Sequence, residues 1–351
     1  MIIFRADGND SIGLGHIMRC LSIADTAKKL GEKCLFITAG KECLAVITSH
    51  GHECIVLDTD YTDMSTELKK LLSVIHKNQP SALFVDSYFV TNIYLKQLWI
   101  LMKELNGKLI YIDDVLAFPY PCDIIINYNI YGPDKASNYN SLYSEAKMFM
   151  PKFLLGTSYA PLREEFQNIP KHIVKKEAQN IFISTGGADF EHLTIEMVKE
   201  IKKSNSQYIF CFVIGEMNKD KKIIHNISKD DSRILLFDNV KQMAKLMSGC
   251  DVAISASGST LYELCAVQIP TVTYILADNQ ILGAEGFHNH NILECVGDVR
   301  NMGVTNLSKH LIKCVTALAD NYEKRLEISA KMRNIVDGQG ANNLLKFINK
   351  Q

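Results

Sequence analysis

The sequence has almost no net charge and contains no long apolar run. Its 38 basic residues are balanced by 39 acidic ones over 351 positions, so the formal net charge is −1. Without a global basic field, the protein has no electrostatic means of recruiting nucleic acid or an anionic membrane. No window approaches the roughly eighteen uninterrupted apolar residues of a membrane span, and the first residues carry charges before a signal-peptide run could form. We therefore expect a cytoplasmic protein that binds neither nucleic acid nor membranes.

Paired cysteines are also missing. The ten cysteines are scattered, and no two of them form a Cys-x-x-Cys motif. Most lie inside apolar runs such as Phe210–Ile214, which is typical of free buried thiols in a reducing compartment. The His50/His52 and His288/His290 pairs have no accompanying framework of carboxylates and histidines. The sequence therefore predicts neither a disulfide framework nor a metal site.

The order of the apolar segments indicates an α/β protein with two domains of roughly 150 to 180 residues. Short β-branched runs alternate with helical stretches, as in parallel sheets built from βαβ units. The segment Phe153–Lys176 separates two series of strands, so we place the boundary near residue 165. The predicted Rossmann-like domains span 1–165 and 166–351, and the tail from Leu307 is expected to form two helices that could pack on either domain, including back on the first. The predicted strands are Ile2–Asp7, Cys34–Thr38, Cys54–Asp58, Ala82–Asp86, Lys108–Asp113, Asp123–Asn127, Asn180–Ser184, Tyr208–Ile214, Arg233–Phe237, Asp251–Ser255 and Thr271–Leu276.

A glycine-rich turn separates the first strand from the first helix. Gly13 and Gly15 allow a tight turn and a close approach of the backbone to a ligand. His16 falls at about the first helical position, at the carboxyl edge of the sheet, where ligands bind in open α/β folds. Because the positive end of a helix dipole disfavours imidazolium, we expect His16 to be neutral and able to accept a proton.

Two other interpretations of this turn stay open. His16 could simply cap the helix inside a glycine turn. Dinucleotide binding is disfavoured because Met18 stands where the third glycine of a G-x-G-x-x-G motif would be. If His16 is a base, Asp7, Asp10 and Arg19 are the nearby residues that could orient it or contact a substrate.

Two more strand-to-helix turns in the second half could cradle a phosphate. Such turns offer backbone N–H groups and the positive end of a helix dipole to an anion. Each turn by itself is ordinary α/β loop chemistry, and no Walker-type lysine follows either one. The candidate phosphate-binding residues are Gly186, Gly187, Ser257, Gly258, Ser259 and Thr260.

Three polar residues make the second of these turns more specific. Glu263 lies about one helical turn beyond it, where an acidic side chain can accept two ribose hydroxyls. Asn279 and Gln280 follow the next strand in a short polar cluster that suits sugar hydroxyl or acetamido groups. Together these features predict a site for a nucleotide-linked sugar.

These blocks resemble a known family over nearly the whole chain. They are similar to the GT-B superfamily and, within it, to the UDP-2,4-diacetamido-2,4,6-trideoxy-β-L-altropyranose hydrolase family of the pseudaminic acid pathway. The first and last blocks are shared with related glycosyltransferases of the lipid-II type, whereas Val85–Tyr88 and Leu155–Arg163 favour the hydrolase. The similar blocks are Arg5–Asp7, Ile12–Arg19, Val85–Tyr88, Tyr111–Asp114, Leu155–Phe166, Ser184–Gly187, Ala256–Glu263 and Ala277–Gln280.

The resemblance implies a GT-B-like fold, in which the parallel sheets of two Rossmann-like domains face a central cleft. It also implies that water attacks the anomeric carbon with inversion and releases UDP, without a metal or any other cofactor. His16 would be the general base and Tyr88 would lie beside the reacting sugar. Because Asp7 is close to His16 in the sequence, we also expect it to belong to the catalytic group. Ser87 departs from the family pattern, in which a bulkier residue is commoner, and so puts the pocket beside Tyr88 in doubt. The resemblance implies that Ser257, Gly258, Ser259, Thr260 and Glu263 hold the pyrophosphate and ribose, while Asn279 and Gln280 face the sugar. From the glycine-rich turns we also expect sugar contacts at Gly13, Gly15 and Arg19 and UDP contacts at Gly186 and Gly187.

Three functions remain open at this point. The first is hydrolysis of a UDP-linked diacetamido sugar by a monomeric enzyme. The second is a GT-B glycosyltransferase, in which the same base would deprotonate an acceptor hydroxyl. A membrane-associated transferase should carry an apolar and basic patch on its first domain, and no such stretch is obvious. The third is a non-catalytic protein that binds a nucleotide sugar.

Overall fold

The computed structural model describes residues 1–350 and contains one parallel β-sheet in each of two units. The first unit comprises Met1–Glu164 together with the residues from Gln339 onward, and the second comprises Glu165–Gly338. The expected α/β fold of two Rossmann-like domains is confirmed.

The sheet of the first unit has seven parallel strands in the order β3-β2-β1-β4-β5-β6-β7. Its central strands β1 and β4 are apolar apart from Arg5 and Asp86, and they are buried along their whole length, as expected where both faces of a parallel sheet are covered. The strands are β1 (Ile2–Ala6), β2 (Cys34–Thr38), β3 (Glu53–Val56), β4 (Ala82–Asp86), β5 (Lys108–Ile112), β6 (Ile124–Asn127) and β7 (Lys152–Leu155). The helices between them are α1 (Gly15–Lys29), α2 (Leu44–Ser49), α3 (Leu68–Asn78), α4 (Asn92–Glu104) and α5 (Ala136–Glu145).

The direction of winding reverses between β1 and β4. These strands are direct neighbours, and Ala6 at the end of β1 is in register with Asp86 at the end of β4. The loops that follow the two strands therefore diverge to opposite sides and leave a crevice at the carboxyl edge of the sheet. Ligands of open α/β sheets bind at this kind of switch point.

The second unit repeats the same winding with six parallel strands in the order β10-β9-β8-β11-β12-β13, and its switch point lies between β8 and β11. The strands are β8 (Asn180–Ser184), β9 (Ile209–Ile214), β10 (Ile234–Asp238), β11 (Val252–Ala256), β12 (Thr271–Ile275) and β13 (Leu293–Asp298). The helices are α6 (Leu193–Lys203), α7 (Lys221–Ser228), α8 (Met243–Ser248), α9 (Thr260–Ala266), α10 (Ile281–Asn289), α11 (Val299–Met302), α12 (Val304–Asp320) and α13 (Tyr322–Met332).

The end of the chain forms three helices, where the sequence analysis expected two. After α12 and α13, the last helix is α14 (Gly340–Asn349), and it lies within the first unit. Nδ2 of Asn343 donates to the carbonyl oxygen of Ser158 at 2.9 Å. Nζ of Lys108, in β5, donates to the carbonyl oxygen of Ile348 at 3.2 Å. Gly340 permits close contact, because a Cβ there would come within 2.0 Å of the carbonyl oxygen of Ala160.

No helix formed by residues 1–350 is both long enough and apolar enough to span a lipid bilayer. In the first His-x-His pair, both side chains contact Asp25: Nδ1 of His50 and Nε2 of His52 each lie 2.7 Å from one of its carboxylate oxygens.

Candidate active site

His16 and Asp86 meet at the switch point of the first sheet. Helix α1 begins at Gly15 and no side chain caps its first turn, while β4 ends at Asp86. Nδ1 of His16 lies 2.6 Å from Oδ1 of Asp86. Both side chains are buried, with exposed fractions of 7% for His16 and 1% for Asp86. The parallel pairing of β1 with β4 therefore brings together two residues that are 70 positions apart in the sequence.

Arg19 binds the same carboxylate from the next turn of α1. Its Nε donates to Oδ2 of Asp86 at 2.5 Å, and its Nη2 donates to Oδ1. Its Nη1 donates to the hydroxyl of Tyr128 at 3.0 Å. A bidentate hydrogen-bonded pair of this kind holds the guanidinium and the carboxylate in one plane. Arg19 was predicted to contact the sugar, and in this structure its guanidinium is engaged mainly with Asp86.

The charges around Asp86 determine which nitrogen of His16 carries the proton. Burial alone would raise the pKa of Asp86, but attraction to Arg19 and His16 outweighs burial and holds the pKa well below its ordinary value. Asp86 is therefore ionised and can only accept hydrogen bonds. It follows that Nδ1 of His16 donates to Asp86, so in the neutral imidazole the lone pair that can accept a proton is on Nε2.

Tyr88 lies against the imidazole. The rings of Tyr88 and His16 are 4.9 Å apart between centroids and nearly perpendicular, at 80°. The hydroxyl of Tyr88 donates to Oδ2 of Asp114 at 2.8 Å. With 39% of its surface exposed, Tyr88 is the most accessible member of this cluster, and Ser87 before it is buried. The structure thus brings three of the predicted residues together, namely His16, Arg19 and Tyr88.

Asp7 lies in a separate buried network. Its Oδ2 accepts from Nη1 of Arg5 at 2.5 Å, and its Oδ1 accepts from the backbone N–H of Ala39 at 2.7 Å. The remaining donors of Arg5 bind Glu67, which also accepts from the hydroxyl of Tyr94 at 2.7 Å. Both oxygens of Asp7 are engaged in this way, so the carboxylate that contacts His16 is that of Asp86.

Sequence reasoning named the block that contains Asp86 but assigned no role to this residue. Its signal was an acidic residue at the end of a buried strand. Finding its partner would have required the order of the strands, which a single sequence does not show.

The glycine turn before His16 is held by Asn9. The Asn9 side chain accepts from the backbone N–H of Ser11 at 2.8 Å and of Ile12 at 3.0 Å, and its carbonyl accepts from Gly13 at 2.8 Å. Gly13 has φ +70°, a conformation that favours glycine. A Cβ at Gly13 or Gly15 would meet no atom within 4 Å, so the backbone of this turn is open to approach.

In the second unit, the Gly186–Gly187 turn follows β8 and leads towards α6. Gly186 has φ +89°, and a Cβ at either glycine would meet no atom within 4 Å. Asp189 holds the end of the turn, because its carboxylate accepts from the backbone N–H groups of Leu193 and Thr194, each at 3.0 Å.

The turn between β11 and α9 contains the other predicted phosphate contacts. The hydroxyl of Ser257 is buried and lies 2.8 Å from that of Thr273, so this side chain bonds within the unit. Ser259 is exposed and Thr260 is the first residue of α9. Gly258 borders Gln280, since a Cβ at Gly258 would lie 3.8 Å from its Nε2.

Gln280 and its neighbours form a short turn after β12. Oε1 of Gln280 accepts from the backbone N–H of Leu276 at 2.9 Å, which closes the turn. Asn279 is exposed, and Glu263 on α9 is half-buried. The structure therefore brings Gly258 and Gln280 together in one region of the second unit.

Known proteins resemble this chain both in sequence and in structure. Residues 173–338 match the glycosyltransferase family 28 C-terminal domain. The uncharacterized protein MJ1062 of Methanocaldococcus jannaschii is 25% identical over 80% of this chain, which spans only 56% of that relative. A Campylobacter jejuni protein named UDP-2,4-diacetamido-2,4,6-trideoxy-beta-L-altropyranose hydrolase is 27% identical, over 75% of this chain and 86% of its own length. The structure of MurG from Acinetobacter baumannii is similar over 100% of this chain and 99% of its own, with a TM-score of 0.68 and 12% identity.

The chain is similar in sequence to a protein named as a UDP-sugar hydrolase, and its second unit matches the model of a glycosyltransferase family 28 C-terminal domain. The resemblance seen in the sequence is therefore confirmed. The likeness to MurG shows the fold alone, which is that of the GT-B glycosyltransferases. The printed name of the Campylobacter relative describes a hydrolase of a UDP-linked sugar.

Proposed function

We propose that this GT-B protein hydrolyses a UDP-linked 2,4-diacetamido-2,4,6-trideoxyhexose at the anomeric C–O bond. Inversion at that carbon would release UDP and a free sugar for pseudaminic acid biosynthesis, with no metal or other cofactor. The name of the Campylobacter relative supports this choice of substrate. The observation that carries the proposal is the buried His16–Asp86 pair at the switch point of the first sheet. Ten free cysteine thiols support a reducing, cytoplasmic setting.

The geometry of His16 suits a general base that activates water. Asp86 holds Nδ1–H, so Nε2 can take a proton from a water molecule as its oxygen attacks the anomeric carbon. The negative charge of Asp86 stabilises the imidazolium that forms. General-base catalysis of this kind contributes about 10²- to 10⁴-fold to a rate. Tyr88 borders the imidazole, and in this proposal it would contact the reacting sugar.

The second unit would bind the nucleotide. UDP is a good leaving group when N–H donors stabilise the charge that develops on its phosphate. In this proposal the turns at Gly186–Gly187 and Ser257–Thr260 hold the pyrophosphate through their backbones, with Glu263 on the ribose. Asn279 and Gln280 would contact the sugar, as would the backbone at Gly13 and Gly15 of the first unit.

A glycosyltransferase that uses a UDP-amino sugar is the second candidate. The match of residues 173–338 to a glycosyltransferase domain favours it. In that case His16 would take its proton from an acceptor hydroxyl. The two functions differ in whether turnover requires a second sugar.

Turnover without an acceptor distinguishes the two. The protein is incubated with UDP-2,4-diacetamido-2,4,6-trideoxy-β-L-altropyranose in buffer containing EDTA, and UDP and sugar are quantified by chromatography. Equal amounts of UDP and free sugar support hydrolysis. An intact substrate that reacts only after an acceptor is added would establish the transferase. H16A is the control variant, and it is expected to bind UDP while losing turnover; binding without turnover in both forms would indicate a sensor.

A further inference from the structure

Asp114 is a buried carboxylate beside Tyr88 that the mechanism above does not use. Its Oδ2 accepts from the Tyr88 hydroxyl at 2.8 Å and lies 3.8 Å from Nη1 of Arg19. Its Oδ1 is buried and has no hydrogen-bond partner among residues 1–350, although the side chain as a whole is 16% exposed. A buried carboxylate oxygen is costly unless it accepts a hydrogen bond, so this atom is poised to receive a donor.

Asp113 holds Asp114 in place. The Asp113 carboxylate accepts from the backbone N–H of Val115 at 3.0 Å and from the hydroxyls of Tyr120 at 3.0 Å and Tyr139 at 2.5 Å. These hydrogen bonds hold Asp113, the first residue of the loop that follows β5, and so restrain the start of that loop. Supporting hydrogen bonds of this kind restrict the positions that a functional side chain can take.

Arg19 lies close to the carboxylates of both Asp86 and Asp114, but the two carboxylates have different environments. Asp86 accepts two hydrogen bonds from Arg19 and is held in the ionised form. Asp114 accepts none from it, and burial raises the pKa of Asp114 more than the Arg19 charge lowers it. Two carboxylates whose pKa values are pushed apart are typical of sites where protons move. Asp86 is engaged with protein donors, whereas Asp114 keeps an acceptor available.

We propose that Asp114 is a further catalytic residue, whose Oδ1 accepts the second hydrogen of the attacking water. This inference rests on the proposed hydrolysis. A water molecule with two acceptors has its lone pair aimed in one direction, and Nε2 of His16 is the first acceptor. Tyr88 links the two acceptors, since its ring packs against His16 and its hydroxyl binds Asp114.

The attack of water forms one bond at the anomeric carbon and breaks another. The water oxygen bonds to the anomeric carbon while the bond from that carbon to the UDP oxygen breaks, and the bonding electron pair leaves with UDP. One proton of the water passes to Nε2 of His16. The other hydrogen stays covalently attached to the oxygen of the new sugar hydroxyl, which continues to donate a hydrogen bond to Asp114.

The test compares water with methanol as the attacking molecule. Methanol has only one O–H hydrogen, so it can donate that hydrogen to His16 but has none left to donate to Asp114. Wild type and the variants D114N and D114L react with the UDP-sugar in a water–methanol mixture, and the ratio of methyl glycoside to free sugar is measured. Leucine is close to aspartate in size, so D114L removes the acceptor without opening space for the methyl group. D134N, at an exposed residue of the same unit, is the control.

We expect D114L to lower kcat for hydrolysis about 10- to 100-fold, as for a lost hydrogen bond to a charged group. The ratio of methyl glycoside to free sugar should rise in D114L and, to a smaller extent, in D114N. UDP affinity should stay unchanged, and D134N should match wild type in every respect. D114N keeps the shape of the side chain, so it supports the same comparison if D114L folds poorly.

The two proposals fail in different ways. If wild type hydrolyses the substrate and both Asp114 variants keep its rate and product ratio, the assignment of Asp114 is wrong and hydrolysis stands. If wild type and D134N both yield no free sugar, hydrolysis itself is wrong, and the role of Asp114 falls with it.

Discussion

Nδ1 of His16 lies 2.6 Å from Oδ1 of Asp86, and Arg19 holds that carboxylate from the other side. The pair joins the first turn of α1 to the end of β4. Because Asp86 is ionised, it fixes the tautomer of His16 and directs Nε2 away from the carboxylate. This contact makes His16 suitable as a general base.

Replacing Asp86 by Asn should impair catalysis more than binding. The amide keeps the shape of the side chain, but it carries no charge to stabilise an imidazolium and can hold His16 in the wrong tautomer. We expect kcat to fall about 10²- to 10⁴-fold, the full range attributed to a general base. Steady-state kinetics gives kcat, and calorimetry with UDP is expected to show unchanged affinity. Wild-type kcat in D86N would contradict the role assigned to Asp86.

Replacing Arg19 by Met should destabilise the first unit in a pH-dependent way. Removing one partner of a buried ion pair costs about 3–5 kcal/mol of unfolding free energy. In wild type, the lowered pKa of Asp86 adds stability that is complete above its unfolded value of about 3.9 and is lost only as the pH falls below that. In R19M, burial without Arg19 raises the pKa of Asp86, so the loss of stability should be largest at neutral pH and smaller in acid.

Urea unfolding at neutral and at mildly acidic pH measures this effect. R300M is the matched control, since Arg300 forms exposed ion pairs with Asp278 and Asp298, and such pairs contribute about 0–1 kcal/mol. If R19M lost more unfolding free energy relative to wild type at acidic pH than at neutral pH, the ionised state assigned to Asp86 would be wrong.

Replacing Asp7 by Asn separates a structural role from a catalytic one. Asp7 binds Arg5 and the backbone of Ala39, so the variant weakens charged hydrogen bonds in a buried network. We expect the unfolding free energy to fall by about 1–3 kcal/mol, while kcat at a temperature where the variant is folded stays close to wild type. Thermal unfolding and kinetics on the same samples check this. A large loss of kcat at unchanged stability would instead place Asp7 in the catalytic group.

Replacing Gly258 by Ala tests the nucleotide site of the second unit. A Cβ at this position meets only Nε2 of Gln280, at 3.8 Å, so folding should be unaffected. The added methyl group would keep a phosphate away from the backbone, and we expect UDP affinity to drop about tenfold, equivalent to roughly 1.4 kcal/mol. Calorimetric titration with UDP measures this. G249A, at the end of α8, is the control and should bind UDP like wild type.

The fold was largely predictable because its central strands are mostly apolar segments separated by helical stretches. The sequence analysis missed β7 and β13, which are the outermost strands at one edge of each sheet. Edge strands are paired on one side only, and these two are short or interrupted by polar residues, as in Leu293–Asp298. Their sequences therefore lack the continuous apolar signal of a central strand.

The site was predictable only where its residues are close in sequence. His16 stands in a recognisable turn between a strand and a helix, so its position followed from local pattern. Its contact with Asp86 depends on β1 lying next to β4, and that adjacency is a property of the folded sheet. For the same reason, Asp7 was grouped with His16 by proximity in sequence, although the fold directs its carboxylate to Arg5.

The proposed hydrolysis requires that water attack the anomeric carbon of the UDP-sugar. It is tested most directly by a reaction in H₂¹⁸O without an acceptor, with mass spectrometry of both products. Hydrolysis by attack at carbon predicts one ¹⁸O in the anomeric hydroxyl of the sugar, captured before exchange by rapid reduction, and none in UDP. Label in the β-phosphate of UDP, or no release of UDP without an acceptor, would overturn the proposed attack of water at carbon.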